Sequence, residues 1–374
     1  MAFPQISQKN CWSKKAQIEV TFNWIYVLIA GAVILLFFAL IIVQQKSQSE
    51  ENLASDVIRI MSSILSGAGI SENTKNTIDT SGIADYTLYF SCDEGVGEVG
   101  VAGKGSPVQN AIDPIFAPAE IKTAKLITWS LPFKFPYKVM DLLMVTSLNT
   151  EYVVVGDGSF ADEFVENTKN FTVKRVNNLD EVNSGVFYQI RVVDVDGKIY
   201  RGQLSLSGLG SSLADDKVTA ISFVSPQQVI YYQKNGNQWE ALHSTPIQLL
   251  SFSAENDPAK YAAIFAGNDQ LYECNMGKVM KRLEFVSSIY SGKSAEMEEY
   301  HNLLQNKVRN SVCADQISGS VRVPLNQALT THTTNIHRCL SLGYNTCVSS
   351  ILDSATAIAN LNNNLESNNC ITLY

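Results

Sequence analysis

Residues 22–43, FNWIYVLIAGAVILLFFALIIV, form a run of 22 residues in which Tyr26 is the one ionisable side chain. At about 1.5 Å per residue a helix of this length is about 33 Å long, close to the roughly 30 Å hydrocarbon core of a bilayer. A buried helix of a globular domain seldom runs so far without a charged residue. The apolar region of a cleaved secretory signal is shorter, about 7–15 residues, and ends in a small-x-small site. The stretch therefore reads as a single transmembrane helix.

Charge on the two sides of the run gives an expected orientation. Lys9, Lys14 and Lys15 precede it with no acidic residue before Glu19, whereas Lys46 alone follows it ahead of Glu50, Glu51 and Asp56. By the positive-inside bias the N-terminus is cytoplasmic and the bulk of the chain lies outside the cell membrane. Cysteine usage agrees with an oxidising compartment. Cys11 falls on the cytoplasmic side and leaves six cysteines, Cys92, Cys274, Cys313, Cys339, Cys347 and Cys370, for up to three disulfides in any of 15 connectivities. Four of the six fall between 313 and 370, so the tail is expected to be stapled to itself or back onto the core. Without a CxxC pair, zinc is the weaker reading of these cysteines.

Past the span, Leu53, Val57, Ile60, Met61, Ile64 and Leu65 recur at helical spacing up to Gly67 and Gly69, which predicts an amphipathic stalk helix. The ectodomain then reads as α/β with a mixed sheet. Residues 125–131 (KLITWSL) read as a strand, 136–147 as a helix, 151–155 (EYVVV) as a buried strand, 160–167 as a helix and 171–176 as a strand. Hairpins are expected at Asp196-Gly197, joining 188–195 to 198–206, and at Asn235-Gly236, joining 229–233 to 238–242. From near Gly277 onward the pattern is helical. The resulting division is a cytoplasmic tail at 1–21, the span at 22–43, the stalk at 44–69, an α/β ectodomain at 86–310 and a helical, cysteine-containing C-terminal region at 311–374.

Motifs that carry chemistry are scarce. Gly95-Val-Gly97-Glu-Val-Gly100 has the GxGxxG spacing, but the Val-Ala-Gly-Lys-Gly-Ser-Pro that follows cannot open a phosphate-binding helix, so a hairpin or loop is expected. Asp194-Val-Asp196-Gly197 opens like a calcium loop yet lacks the closing Glu. Glu298 and His301 have the spacing of a di-iron pair without a second such pair. No GxSxG elbow supports a Ser/His/Asp hydrolase. The turn Gly156-Asp157-Gly158-Ser159 stands at the end of the strand EYVVV ahead of a helix, where open α/β sheets place ligands. Asp157 and Ser159 are accordingly the small-ligand candidates. Asn170-Phe171-Thr172 is a candidate N-glycosylation site. The net charge of −8 argues against nucleic acid as a partner.

Lys14-Lys15-Ala16-Gln17-Ile18-Glu19, running into the apolar stretch, resembles the processing signal of archaeal type IV pilin-like proteins. There a basic region and a small residue precede a Gln that becomes the mature N-terminus, and an acid begins the apolar helix. The resemblance implies processing between Ala16 and Gln17, with Glu19 as the acid. Glu19 stands closer to the Gln than the family's usual fifth place, and Ala16 replaces the commoner Gly. ITWSLPFKFPYKV and YVVVGDGSF are similar to stretches of single-span archaeal membrane proteins. The expected function is a membrane-anchored structural or interaction protein of the cell envelope, with a pilin-like minor subunit as its specific form. Its partners would be the bilayer and an envelope protein, or further copies of the chain joined through the stalk. The alternative is an extracytoplasmic small-ligand-binding module or enzyme using 156–159. No catalytic residue, metal or cofactor is assigned.

Overall fold

The structure is a computed structural model that describes residues 14–68, 73–182, 187–206, 209, 213–253, 255–305, 311–319 and 323–374. Lys9 and Cys11 lie outside the described residues. Two compact units result, Met1–Asp56 and Val57–Tyr374. Helix α1, Lys14–Ala68, is continuous through both. Within it Trp24–Gln45 is long and apolar enough to cross a membrane, and none of that window is buried in the protein. In the second unit, Ile58, Met61 and Leu65 on the last turns of α1 are buried. These follow one another at helical spacing and give the stalk its covered face. Ala16, Gln17 and Glu19 lie in the first turns of the same helix.

After the end of α1, the described residues of the second unit run through fifteen strands, with one α-helix between the ninth and the tenth. In chain order the first eight are β1 (Lys75–Asp79), β2 (Leu88–Asp93), β3 (Val96–Val101), β4 (Lys104–Asn110), β5 (Ile115–Phe116), β6 (Glu120–Ile121), β7 (Lys125–Lys134) and β8 (Lys138–Ser147). They make two four-stranded sheets, ordered β1-β7-β8-β5 and β4-β3-β2-β6. Residues 138–147 are thus a strand and not the expected helix. KVMDLLMVTS buries residues on both faces, so its apolar run carries no period that separates strand from helix. What decides is the partner, since β8 pairs antiparallel with β7 along nearly its whole length, Leu126 opposite Ser147 through Lys134 opposite Lys138.

The GxGxxG stretch closes the β2–β3 hairpin, with Gly95 in the turn at φ 82°. The other two glycines make room for neighbours. A Cβ on Gly97 would stand 2.7 Å from Lys278 Nζ, and one on Gly100 would strike the Tyr89 ring.

The remaining strands are β9 (Thr150–Val155), β10 (Val173–Val176), β11 (Gln189–Asp194), β12 (Val218–Ser225), β13 (Gln228–Asn235), β14 (Gln238–Ala241) and β15 (Ile247–Gln248). Their sheet runs β10-β9-β11-β12-β13-β14, with β15 also on β13. The first four are parallel and the rest antiparallel, so the sheet is mixed. The expected hairpin at Asn235-Gly236 joins β13 to β14.

The expected hairpin at Asp196-Gly197 does not form, because both edges of β11 are taken by the parallel neighbours β9 and β12. The chain turns there instead. Buried Asp194 accepts hydrogen bonds from the Ile199 N–H and the Ser222 hydroxyl, each at 2.7 Å. Ile199, Leu204 and Leu206 then fold down as part of the apolar layer on Val153, Val155, Ile190 and Val192.

The opposite face of the sheet is covered by α2 (Ser159–Asn167) and α3 (Pro258–Phe265). Their Phe164 and Phe265 rings lie 6.2 and 5.2 Å from Tyr152. Phe265 and Tyr261 of α3 also stand 6.2 and 4.8 Å from Trp129 of β7. One short helix therefore serves two sheets. The chain ends in helices α4 (Asp269–Gln305), α5 (Ser311–Ile317), α6 (Leu325–Leu342) and α7 (Val348–Ser367).

All six cysteines after the span pair at disulfide distance. They join Cys92 to Cys274, Cys313 to Cys370 and Cys339 to Cys347, with Cα separations of 5.8, 5.7 and 5.4 Å. The first ties β2 to α4, and the other two lie within the C-terminal region.

Candidate functional site

Chain order reverses between β9 and β11. From β9 the chain crosses through α2 to β10 on one side, and the next strand, β11, lies on β9's other side. In an open parallel sheet the two connections leaving such a point diverge, and a crevice opens beyond the carboxyl ends of the strands. A cleft of about 390 Å³ lies there, walled by the turn 157–161, Val195 and Asp196 after β11, residues 223–226 at the end of β12, and Lys260 of α3.

The local sequence builds this mouth closely. Gly156 and Gly158 have φ of 111° and 118°, outside the range open to side-chain-bearing residues. A Cβ on Gly156 would collide with the Asp196 carboxylate at 2.7 Å, so the glycine lets Asp196 lie over the end of β9. Asp196 Oδ2 accepts the Asp157 N–H at 3.2 Å and stands 3.8 Å from Lys198 Nζ. Beside Gly158 the space is open. Gly158 is the N-cap of α2 and supplies no side chain to its first turn.

Arg175 of β10 holds the turn in place. It donates to the Gly156 carbonyl at 3.2 Å, to Asp157 Oδ1 at 2.6 Å and to Asp162 Oδ1 at 2.5 Å, so strand end and helix start move as one piece. Those two carboxylates in turn raise the Arg175 pKa. On the far wall, Lys260 Nζ sits 5.1 Å over the Phe160 ring.

A second, wider cleft of about 770 Å³ shares Ser159, Phe160 and Lys260 and is otherwise acidic, with Asp162, Glu163, Glu166 and Glu255 on its wall. Buried Tyr261 braces two of the residues that line it. The phenol donates to Glu163 Oε1 and accepts from Asn167 Nδ2, both at 2.8 Å, and burial raises its pKa.

Asp157 and Ser159 are therefore both at the mouth of a real cleft, exposed, with Asp157 paired to Arg175. Asp196, Phe160 and Lys260 complete it. Asp196 sits in the Asp-Gly dipeptide that reads as a hairpin turn, and Lys260 arrives from a hundred residues downstream, with no local signal. Asn170 is exposed in the turn after α2.

The other motifs resolve into structure. Glu298 accepts from Asn326 Nδ2 at 2.6 Å, and among the described residues no group of three His, Cys, Asp or Glu side chains could hold a metal ion. His332 does meet a serine, its Nδ1 lying 2.8 Å from Ser354 Oγ. Both are buried, however, and His332 Nε2 has no partner in the described residues, so no carboxylate orients the ring as hydrolysis by such a pair requires.

No protein-family model, curated protein or solved structure matches this chain.

Proposed function

We propose that the chain is a membrane-anchored protein of the cell envelope, its N-terminus cytoplasmic and its domain from Val57 onward presented outside for interaction with a partner. The observation that carries this reading is the Trp24–Gln45 helix, apolar along its length and buried nowhere against the protein. Water would oppose so much exposed apolar surface, and a bilayer removes it from water. Positive flanking charge supplies the orientation, and three cysteine pairs fit an oxidising compartment. The pilin-like form of this reading adds processing between Ala16 and Gln17.

Two measurements on native membranes test it. External protease should release fragments of the domain, and mass spectrometry should read the mature N-terminus. A chain beginning at Gln17 supports the pilin-like form, and one beginning near Met1 leaves a plain anchor. A domain that resists external protease until the membrane is opened would sink the orientation.

The switch-point cleft favours a second role for the same domain, binding of a small polar ligand. Its charges nearly balance, Asp157 against Arg175 and Asp196 against Lys198, with aromatic and hydroxyl groups between them. Such a lining suits a polyhydroxylated or zwitterionic molecule better than a strongly charged one. A panel of neutral sugars, polyols and amino acids should contain one that raises the melting temperature by several degrees, as preferential binding to the folded state requires. The Asp157→Ala and Ser159→Ala variants should lose that shift. Retention of the full shift in both would remove the cleft from the account.

A further inference from the structure

We propose that Asn170 carries an N-linked glycan, attached at the one Asn-x-Ser/Thr triplet in the sequence, Asn170-Phe171-Thr172. The inference rests on the reading that the domain lies outside the membrane, where glycan transfer takes place. Its structural support is the way the triplet is held.

The Phe171 N–H donates to the Thr168 carbonyl at 2.8 Å and closes a turn with Asn170 at its outer corner. Phe171 is buried, its ring 6.0 Å from Trp129 and 5.8 Å from Phe265. Thr172 Oγ1 donates to the Leu148 carbonyl at 2.9 Å. The residues on the C-terminal side of Asn170 are thus pinned inward, while its own side chain is exposed and takes no hydrogen bond among the described residues. A sugar on that amide projects into solvent and displaces nothing. Asn345, which begins an Asn-Thr-Cys sequence, is also exposed, but its side chain is engaged. Its Oδ1 accepts from the Gln248 N–H and its Nδ2 donates to Glu273, both at 2.9 Å, and its Cys347 is paired with Cys339.

In the transfer, the amide nitrogen bonds to the anomeric carbon of a lipid-linked sugar donor. The carbon–oxygen bond to the lipid phosphate breaks, the phosphate leaves with the bonding pair, and one amide proton is lost. Because the Thr172 hydroxyl is engaged in the folded domain, transfer precedes the docking of this segment.

Position suggests what the sugar does. Asn170 lies at the amino end of β10, the outer strand of the seven-stranded sheet, opposite the carboxyl ends that form the cleft. A bulky polar group there screens an open sheet edge, whose unpaired backbone groups otherwise invite another strand, and leaves the cleft clear.

Glycopeptide mass spectrometry of the protein from its native membranes tests this. The expected result is an oligosaccharide mass increment on the peptide containing Asn170, absent in Asn170→Gln and Thr172→Ala and kept in Thr172→Ser. An unmodified Asn170 in protein whose domain is cleaved by external protease, and whose cysteines resist alkylation without reductant, overturns the glycan and leaves the topology standing. Free cysteines and a protease-shielded domain overturn both.

Discussion

His332 shows how much a single enclosed side chain contributes. Its ring is wholly buried on α6, stacked 6.1 Å from Phe135 and bonded to Ser354, and burial pushes its pKa down to about 4. The unfolded chain titrates near 6.5, so between about pH 4 and 6.5 the unfolded state holds a proton that the folded state refuses. Stability from this residue is complete above pH 6.5 and is lost as pH falls, to a total on the order of 3 kcal/mol. Denaturant unfolding at steps from pH 7 to 4.5 should show that decline, and His332→Gln should flatten it by about one proton's worth of slope. An unchanged slope in the variant would place the acid sensitivity elsewhere. Gly156 gives a second test at this scale. Alanine there meets both a positive φ and the Asp196 carboxylate, so Gly156→Ala should cost about 2 kcal/mol or more, read as a lowered denaturation midpoint. Sequence makes Asp157 and Ser159 legible because a glycine-flanked turn after a buried strand is a local pattern. Asp196 and Lys260 are illegible because nothing near them in the chain says that the sheet order reverses at β9.

Arg191 decides how helix α3 sits on the central sheet. It projects from β11 with its guanidinium under the end of α3 and donates to the carbonyls of Ile264, Ala266 and Gly267 at 3.2, 2.6 and 3.2 Å. These are carbonyls that a helix C-terminus leaves without internal partners, and the cation also meets the negative end of the helix dipole. Burial lowers its pKa, and the charge has no carboxylate beside it among the described residues. Arg191→Met should therefore strand two buried acceptors and a half-buried one, and cost about 3 kcal/mol or more. Arg191→Lys should recover little, since an ammonium cannot present the planar fork. Hydrogen exchange should show α3 opening first in both, and uniform loosening of the whole domain would argue against this role. Element type is legible in sequence where length or turn chemistry is decisive, as in α1, α4 and the Asn235-Gly236 hairpin. It fails at β8 and at 198–206 for a shared reason. Both are stretches whose conformation depends on which strand edges are free, and edges are occupied by distant residues.

At the scale of the whole chain, the cysteine pairs separate two kinds of work. Cys92 and Cys274 are 182 residues apart and tie an early hairpin to α4, so their bond closes a loop containing most of the α/β region. Cys313 and Cys370 span 57 residues, and Cys339 and Cys347 span 8. The number of pairs is legible as an even count after the span, whereas the pairing depends on which helix faces which hairpin and is invisible before folding. If cross-links act mainly by restricting the unfolded chain, the loss on removal scales with the logarithm of loop length. The three bonds then contribute about 5, about 4 and about 2 to 3 kcal/mol. Replacing each pair with serine in the detergent-solubilised full chain and measuring denaturant midpoints should return that order, with the 339–347 pair the most dispensable. An inverted order, with the short loop the most costly, would mean that the 339–347 bond acts on the folded state. It would then be holding Tyr344, whose hydroxyl accepts from the Leu250 N–H, against the core, and Tyr344→Phe should reproduce part of the loss.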